Sequence, residues 1–257
     1  MPSRSADTVG IRVRAVYVLL TVLIGQGPGN VTTAPIVLLP GLDGTGDLFA
    51  RFLAAAPPGV TVKPVGLPGD RIRDYPELAE WVLERLPCDR VVLVAESFSG
   101  PLAILIAEQC ERVAGVVLVA TFVESPLPRA FRHCPQFIWR YSPPEFLLRR
   151  VLTGGDAELA AAVRRAMLTV NHSVVAARVA AALQVNIARE LQKVTCPLLY
   201  LQAGQDRLVR ARSGARLRAV KPDAQFVRID GPHLLLQARP DEAWIHVSQF
   251  VNRVADR

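Results

Sequence analysis

Ser97 lies in the segment AESFSG (95–100), after five apolar or β-branched residues and before a run typical of a helix. This pattern predicts a sharp turn from strand to helix, which pushes the serine out of a sheet in front of the free N–H groups of the helix. A serine hydroxyl is a poor nucleophile unless a base removes its proton. Asp206 follows a later strand-like run, and His233 lies in the loop after the next one. The three residue types predict nucleophilic acyl transfer.

The acid and the base have distinct roles in this chemistry. The Asp206 carboxylate can accept the Nδ1 proton of His233, which fixes the tautomer of the ring and stabilises the imidazolium. His233 is then the base that activates Ser97. Glu124, which follows the strand-like run ending near Thr121, remains an alternative acid.

The segment LLPGLDGTG (38–46) follows the first strong strand-like run. Acyl transfer places negative charge on a carbonyl oxygen, and backbone N–H groups stabilise that charge well. The N–H groups of Leu42 and Phe98 are the two candidates for this oxyanion hole, and Ser99 is the predicted cap of the helix after Ser97. The glycine spacing is not G-x-G-x-x-G and no Gly-Lys-Ser/Thr follows, which argues against a nucleotide-binding loop.

Six apolar runs alternate with helix-like segments, at residues 35–39, 60–65, 90–96, 115–121, 197–203 and 225–230. The runs are continuous rather than alternating, as expected for parallel strands buried on both faces. Helices are predicted over 77–86 and from Pro240 onward. The fold class is therefore α/β, with a doubly wound, mostly parallel sheet.

The regular rhythm stops after residue 121 and resumes at residue 197. We predict a core formed by residues 35–126 and 194–257, with a helical cap at 127–193 over the carboxyl ends of the strands, where such sheets bind ligands. Cap helices are predicted over 156–170 and 174–192. Residues 1–34 form an N-terminal extension or a leader, whose apolar stretch 15–24 is too short to span a bilayer.

The cap carries nine Arg and one Lys against four acids, which is nearly all of the net charge of +7. No nucleic-acid-binding motif accompanies these arginines, so nucleic acid is not an expected partner. They form either a solvated surface or one that faces an anionic substrate, an acyl carrier or a membrane. The apolar cap residues predict a small-molecule acyl substrate with an apolar group (Phe137, Ile138, Trp139, Phe146, Leu147, Leu148).

No cofactor or metal is expected, since no H-E-x-x-H or comparable cluster occurs. The four cysteines show no close pairing and are predicted to be buried free thiols, which is consistent with a reducing compartment. The expected location is cytoplasmic, with export left open if residues 1–27 act as a leader.

Residues 35–257 resemble the α/β-hydrolase superfamily, on LLPGLDGTG (38–46), AESFSG (95–100), LQAGQDRLV (201–209) and GPHLLLQ (231–237). The resemblance is to small bacterial serine hydrolases and esterases, and LPGLDGTG with ESFSG is also similar to plant esterase/lipase/thioesterase proteins that act as acyltransferases. It implies Ser97 as nucleophile, Asp206 as acid, His233 as base, Leu42 and Phe98 as oxyanion donors, and a cap lining an acyl pocket.

This sequence departs from the usual pattern around the nucleophile. Ala95 and Ser99 stand where glycines are usual, with Gly100 one place later, and Pro40 stands where many relatives have His. The expected function is that of a serine hydrolase that cleaves a carboxylic ester or thioester through an acyl-enzyme on Ser97. An acyltransferase with the same triad, a cap-dependent lyase or C–C hydrolase, and a non-catalytic hydrolase-fold binding protein are the alternatives.

Overall fold

The computed structural model describes residues 34–128, 130–131, 134–135, 138, 140 and 143–255. The prediction of a leader at the N-terminus, and the assignment of Phe137 and Trp139 to the acyl pocket, concern residues that lie outside this described part. Within it, the chain forms one six-stranded sheet with helices on both faces.

Every strand of the sheet is parallel to its neighbours, in the order β2-β1-β3-β4-β5-β6. The strands are β1 Ile36–Leu39, β2 Val62–Pro64, β3 Val91–Glu96, β4 Val113–Val119, β5 Leu198–Ala203 and β6 Gln225–Ile229. The fold class predicted from the sequence is therefore confirmed, and each strand lies within two residues of its predicted range.

The helices are α1 Ala50–Ala54, α2 Tyr75–Leu83, α3 Ser99–Gln109, α4 Glu145–Val151, α5 Ala157–Leu168, α6 His172–Gln184, α7 Ala188–Lys193, α8 Ala211–Val220, α9 Leu235–Ala238 and α10 Pro240–Ala255. A single turn of 3₁₀ helix, Asp47–Phe49, precedes α1. The α2 helix begins earlier than predicted because Asp74 caps it: its carboxylate accepts from the N–H of Glu77, whose own carboxylate accepts from the N–H of Asp74, each at 2.9 Å.

The central strands are almost entirely apolar because both faces of each strand are covered. In β1, Val37 and Leu39 join the cluster formed with α2 and α3, whereas Ile36 and Leu38 join the cluster formed with α1 and α10. Burial on both faces removes the need for polar residues at alternate positions. This is why the strands could be recognised in the sequence.

The insertion, residues 127–193, contains α4 to α7 between β4 and β5. The prediction of one helix over 174–192 is wrong, because the chain breaks at residues 185–187. There the N–H of Ile187 donates to the Val123 carbonyl at 2.9 Å, and the side chains of Val185 and Ile187 are buried. Pairing with the chain that leaves β4 thus replaces a helical turn.

No single helix of the described residues has both the length and the apolarity needed to cross a membrane. The helices α5 and α6 meet both requirements only as a pair, and that pair is bent by 108°.

The four cysteines are unpaired, as predicted, but the prediction that they are buried is wrong. Cys88 is exposed, and Cys110, Cys134 and Cys196 are half-buried. Burial raises the pKa of the Cys196 thiol to about 11, so this thiol remains protonated near neutral pH.

The order of the strands also determines where a site can form. Strand β1 has β2 on one side and β3 on the other, so the chain leaves its carboxyl end at the point where the winding of the sheet changes direction. Connections diverge at such a point and leave a crevice. The loop after β1 and the turn after β3 meet at this crevice.

Candidate active site

Ser97 occupies the turn between β3 and α3 with a positive φ of 52°. A non-glycine residue rarely adopts this conformation, and it persists only where the surroundings hold it. The N–H of Ser97 donates to the Val119 carbonyl at 2.9 Å, and the Thr121 hydroxyl donates to the Ser97 carbonyl. The end of β4 therefore holds the turn, and the sharp bend predicted from the sequence is present.

The small residues of this turn have different roles from those expected. The prediction that Ser99 caps the helix is wrong: α3 begins at Ser99, and the Ser99 hydroxyl donates to the Pro40 carbonyl. The Ser99 side chain thus forms a hydrogen bond that a glycine at this position could not form. At Gly100, by contrast, a Cβ atom would overlap the Thr121 side chain, which explains why the glycine lies one place later than usual.

The structure brings Ser97, His233 and Asp206 into one hydrogen-bonded chain. The His233 Nε2 lies 2.8 Å from the Ser97 Oγ, and the His233 Nδ1 lies 2.7 Å from the Asp206 Oδ2. The other carboxylate oxygen of Asp206 accepts from the N–H groups of Leu208 and Val209, both at 2.8 Å. These two bonds hold the carboxylate toward the imidazole.

Glu124, the alternative acid, lies elsewhere. Its carboxylate pairs with the Arg216 guanidinium at 2.7 Å. Of the two acids that the sequence leaves open, the structure therefore places Asp206 against His233.

The environment of His233 acts on its pKa in two directions. Burial lowers the pKa, whereas the charge of Asp206, its hydrogen bond and the charge of Glu96 raise it, and the net result lies above the usual 6.5. The ring is only 2% exposed. An imidazolium formed here by proton transfer from Ser97 is therefore stabilised by Asp206.

Glu96 and Gln237 form a second buried pair beside the triad. The Gln237 Nε2 donates to the Glu96 Oε2 at 2.8 Å, while the Oε1 atoms of both side chains have no hydrogen-bond partner among the described residues. Burial raises the pKa of Glu96 to about 7, although Gln237 and His233 act in the opposite direction. The role of Gln237 could not be predicted from the sequence, because its place at the end of GPHLLLQ does not show where its amide points.

The loop after β1 presents the predicted oxyanion donors. Within the described residues, the N–H groups of Leu42 and Phe98 donate to no carbonyl or side chain. Both residues line the same pocket as Ser97. Arg178, from α6, donates to two carbonyls of this loop, although the sequence alone places it only among the basic residues of the cap. One signal could have revealed its burial: it follows Val174 and Val175 by four and three residues, on the apolar face of the helix.

The Ser97 hydroxyl faces a pocket of about 320 Å³. The pocket lies between the insertion and the carboxyl ends of the strands, and Leu147 and Leu148 of the predicted apolar set line it. Phe146 and Ile138 are instead exposed. The remaining apolar wall residues come from the insertion and from the loops around the sheet, and include Leu48, Phe122, Val151, Val163, Met167, Val175 and Leu234. Arg140, His172 and Asp43 are among the polar side chains at the pocket.

The described arginines of the insertion do not form one uniform surface. Arg149 and Arg150 are exposed and, with Arg207, line an open cleft of about 420 Å³ next to the triad loops. Arg178 is buried. The expectation of an anionic partner at the basic cap stays a prediction. Among the described residues, no three His, Cys, Asp or Glu side chains are grouped in a way that could hold a metal ion.

A doubly wound parallel sheet, with serine, acid and histidine on loops at its carboxyl edge, defines a broad class of hydrolytic enzymes. A model of the alpha/beta hydrolase family matches residues 36–246, and the chain belongs to that family. This assignment makes it a hydrolytic enzyme.

Solved structures with the same fold include an esterase from Thermogutta terrifontis, which is 19% identical, with coverage of 86% of this chain and 90% of that one and a TM-score of 0.72. A hydrolase from Pseudomonas aeruginosa PA01 has the same identity and TM-score, with 86% and 91% covered. An enol-lactonase from Burkholderia xenovorans LB400 is 19% identical, with 89% and 94% covered and a TM-score of 0.67. No curated protein matches the chain significantly.

Proposed function

We propose that the protein is a serine hydrolase that cleaves a carboxylic ester or thioester through an acyl-enzyme on Ser97. The observation that carries this proposal is the continuous hydrogen-bond chain from Asp206 through His233 to the Ser97 Oγ, which faces an apolar pocket. A nucleophile, a base and an orienting acid within bonding distance are the parts that covalent acyl transfer needs.

In the first half of the reaction, His233 takes the proton of Ser97 as the Oγ attacks the carbonyl carbon of the substrate. The N–H groups of Leu42 and Phe98 donate to the resulting oxyanion. The intermediate collapses, the bond from the carbonyl carbon to the leaving oxygen or sulfur breaks, and His233 gives its proton to the leaving group. Ser97 then carries the acyl group.

In the second half, water replaces the leaving group. His233 removes a proton from the water as its oxygen attacks the acyl carbon, and the same two N–H groups stabilise the second oxyanion. Collapse of this intermediate breaks the bond to Ser97 Oγ, which recovers its proton from His233. The products are a carboxylic acid and the free enzyme.

The pocket supports a substrate whose acyl or alcohol group is apolar. Most of its lining consists of aliphatic and aromatic side chains, and Ser97 and His233 also line it. Burial of apolar surface contributes about 25 cal/mol for each Å². Longer apolar chains should therefore bind better until the pocket is full.

A fluorophosphonate probe tests the proposed nucleophile. The wild-type chain should become covalently labelled, and the substitution Ser97→Ala should abolish labelling. Ser213, a buried serine in α8, provides the matched control, since Ser213→Ala should label as the wild type does. A folded wild-type chain that does not label would favour the non-catalytic alternative.

A series of p-nitrophenyl esters tests the proposed substrate class. The ratio kcat/KM should rise from acetate through butyrate to a medium-chain ester and fall for chains that exceed the pocket. In Leu148→Phe, the larger side chain occupies part of the pocket, so the optimum should move to shorter chains. Equal values for all chain lengths would contradict an apolar acyl pocket.

A further inference from the structure

Arg178 is a buried cation that joins the insertion to the loop after β1. It lies in α6 and is 1% exposed. Its Nη1 donates to the carbonyls of Leu42 and Asp43, both at 2.9 Å, and its Nη2 donates to the carbonyl of Pro68 at 3.0 Å. No carboxylate of the described residues forms an ion pair with it, so these three carbonyls hold the guanidinium.

The carbonyls of Leu42 and Asp43 are the last two of four consecutive loop carbonyls that each accept a hydrogen bond. The Pro40 carbonyl accepts from the Ser99 hydroxyl, and the Gly41 carbonyl accepts from the N–H of Gly44 at 3.1 Å. Arg178 then binds the next two. Within a planar trans peptide, the C=O and the following N–H point in opposite directions. The Gly41 carbonyl is turned toward the N–H of Gly44, so the Leu42 N–H of the same peptide points the other way, and Leu42 lines the same pocket as Ser97.

Gly44 shows that the loop is shaped around the guanidinium. It adopts a φ of +72°, and a Cβ atom at this position would overlap the Arg178 side chain. Burial lowers the pKa of Arg178 to about 10, while the charge of Asp43 counteracts this effect. The side chain consequently remains charged at neutral pH, and hydrogen bonds from a charged donor are the stronger ones.

We propose that Arg178 is a positioning residue for the hydrolysis, which fixes the direction of the Leu42 N–H at the oxyanion. This inference rests on the proposed function and adds a residue of the insertion to the machinery of the reaction. Among the described residues, the Gly44 N–H alone holds the peptide between Gly41 and Leu42, and Arg178 holds the two peptides that follow. Without the guanidinium, the turn would sample conformations in which the Leu42 N–H no longer points at the substrate.

The experiment measures kcat and KM for Arg178→Lys and Arg178→Ala with the best p-nitrophenyl ester. Loss of a whole oxyanion donor lowers turnover by about 10²–10³-fold, so a misdirected donor should lower kcat by about 10- to 100-fold. The KM should change by less than about threefold, because the apolar walls that bind the substrate remain. Added methylguanidinium should restore part of the kcat of Arg178→Ala, whereas methylammonium should not. Arg189→Ala, at an exposed arginine of α7, is the control.

Each outcome decides the proposal. A fall in kcat at constant KM with rescue by methylguanidinium supports it. A folded Arg178→Ala variant with the kcat of the wild type overturns it, whether or not its KM rises. If Arg178→Ala does not fold, the kcat and KM of Arg178→Lys decide by the same criterion. Lysine keeps the charge but lacks the planar fork that reaches several carbonyls. A wild-type chain that hydrolyses no ester overturns the proposed function as well.

Discussion

Replacement of Glu96 by Gln should make the stability of the protein less sensitive to high pH. The side chain is 2% exposed, and burial is the main reason that its pKa rises from 4.5 to about 7. The raised pKa means that the folded state binds the proton more tightly than the unfolded state does. The contribution of Glu96 to stability is therefore fully present below about pH 4.5, falls as the pH rises through the interval between the two pKa values, and levels off above about pH 7.

The magnitude follows from the displacement of the pKa. One pKa unit corresponds to about 1.4 kcal/mol, so ionised Glu96 costs the folded state about 3 kcal/mol at high pH. Glutamine has nearly the same shape and no charge, and its amide can also supply a donor where the Glu96 Oε1 has no partner. The free energy of unfolding of Glu96→Gln minus that of the wild type should therefore increase by about 2–3 kcal/mol from about pH 5 to about pH 8.

Urea unfolding at a series of pH values measures this difference. Subtraction of the two curves removes the contributions of the groups that titrate alike in both proteins. Glu80→Gln, at an exposed position of α2, is the matched control and should follow the wild type at every pH. Parallel curves for Glu96→Gln and the wild type would refute the reasoning, since they would mean that Glu96 ionises in the folded state as it does in the unfolded chain.

Other predictions concern the base and the packing around the nucleophile. The kcat/KM of an ester should rise with pH through a midpoint above about 6.5, because neutral His233 accepts the proton and Asp206 outweighs the effect of burial on its pKa. Because the charge of Glu96 also raises the pKa of His233, Glu96→Gln should move this midpoint to lower pH. An unchanged pH–rate profile would contradict this effect of Glu96 on His233. Gly100→Ala should lower the free energy of unfolding by about 1–3 kcal/mol, because the added methyl overlaps Thr121; a urea midpoint equal to the wild type would contradict this. Tyr75→Phe should cost about 1 kcal/mol in the same assay, because the buried hydroxyl donates to the Phe98 carbonyl at 3.0 Å; no loss would show that water replaces the bond.

The sequence predicted the parts of the fold whose physical cause is local. Strands such as β3 and β4 are apolar at nearly every position because helices cover both faces, so a short run of residues identifies them. Ser97, Asp206 and His233 could be selected because each follows a predicted strand, and parallel strands place their carboxyl ends at one edge. The same reasoning left Asp206 and Glu124 both open, since each follows a strand. In the structure the Asp206 carboxylate, oriented by the N–H groups of Leu208 and Val209, lies against His233, whereas Glu124 pairs with Arg216.

Three residues whose roles the sequence did not reveal share one property, which is that their side chains hold backbone from a distant part of the chain. Thr121 holds the Ser97 carbonyl, Ser99 holds the Pro40 carbonyl, and Arg178 holds the carbonyls of Leu42 and Asp43. A carbonyl acceptor exists at every position, so such a contact requires no particular residue type at the accepting end and forms no motif.

This type of contact also explains how the site tolerates its departures from the usual pattern. A glycine two residues after the nucleophile serves where the helix packs closely against the neighbouring strand. Here Ser99 points toward Pro40 instead, and the close approach to β4 falls at Gly100, where the Thr121 side chain occupies the space of a Cβ atom. The requirement for one residue without a side chain is thus retained but displaced by one position. It follows that the glycine pattern around a nucleophile should be interpreted together with the residue that ends the neighbouring strand, because the two positions share one volume.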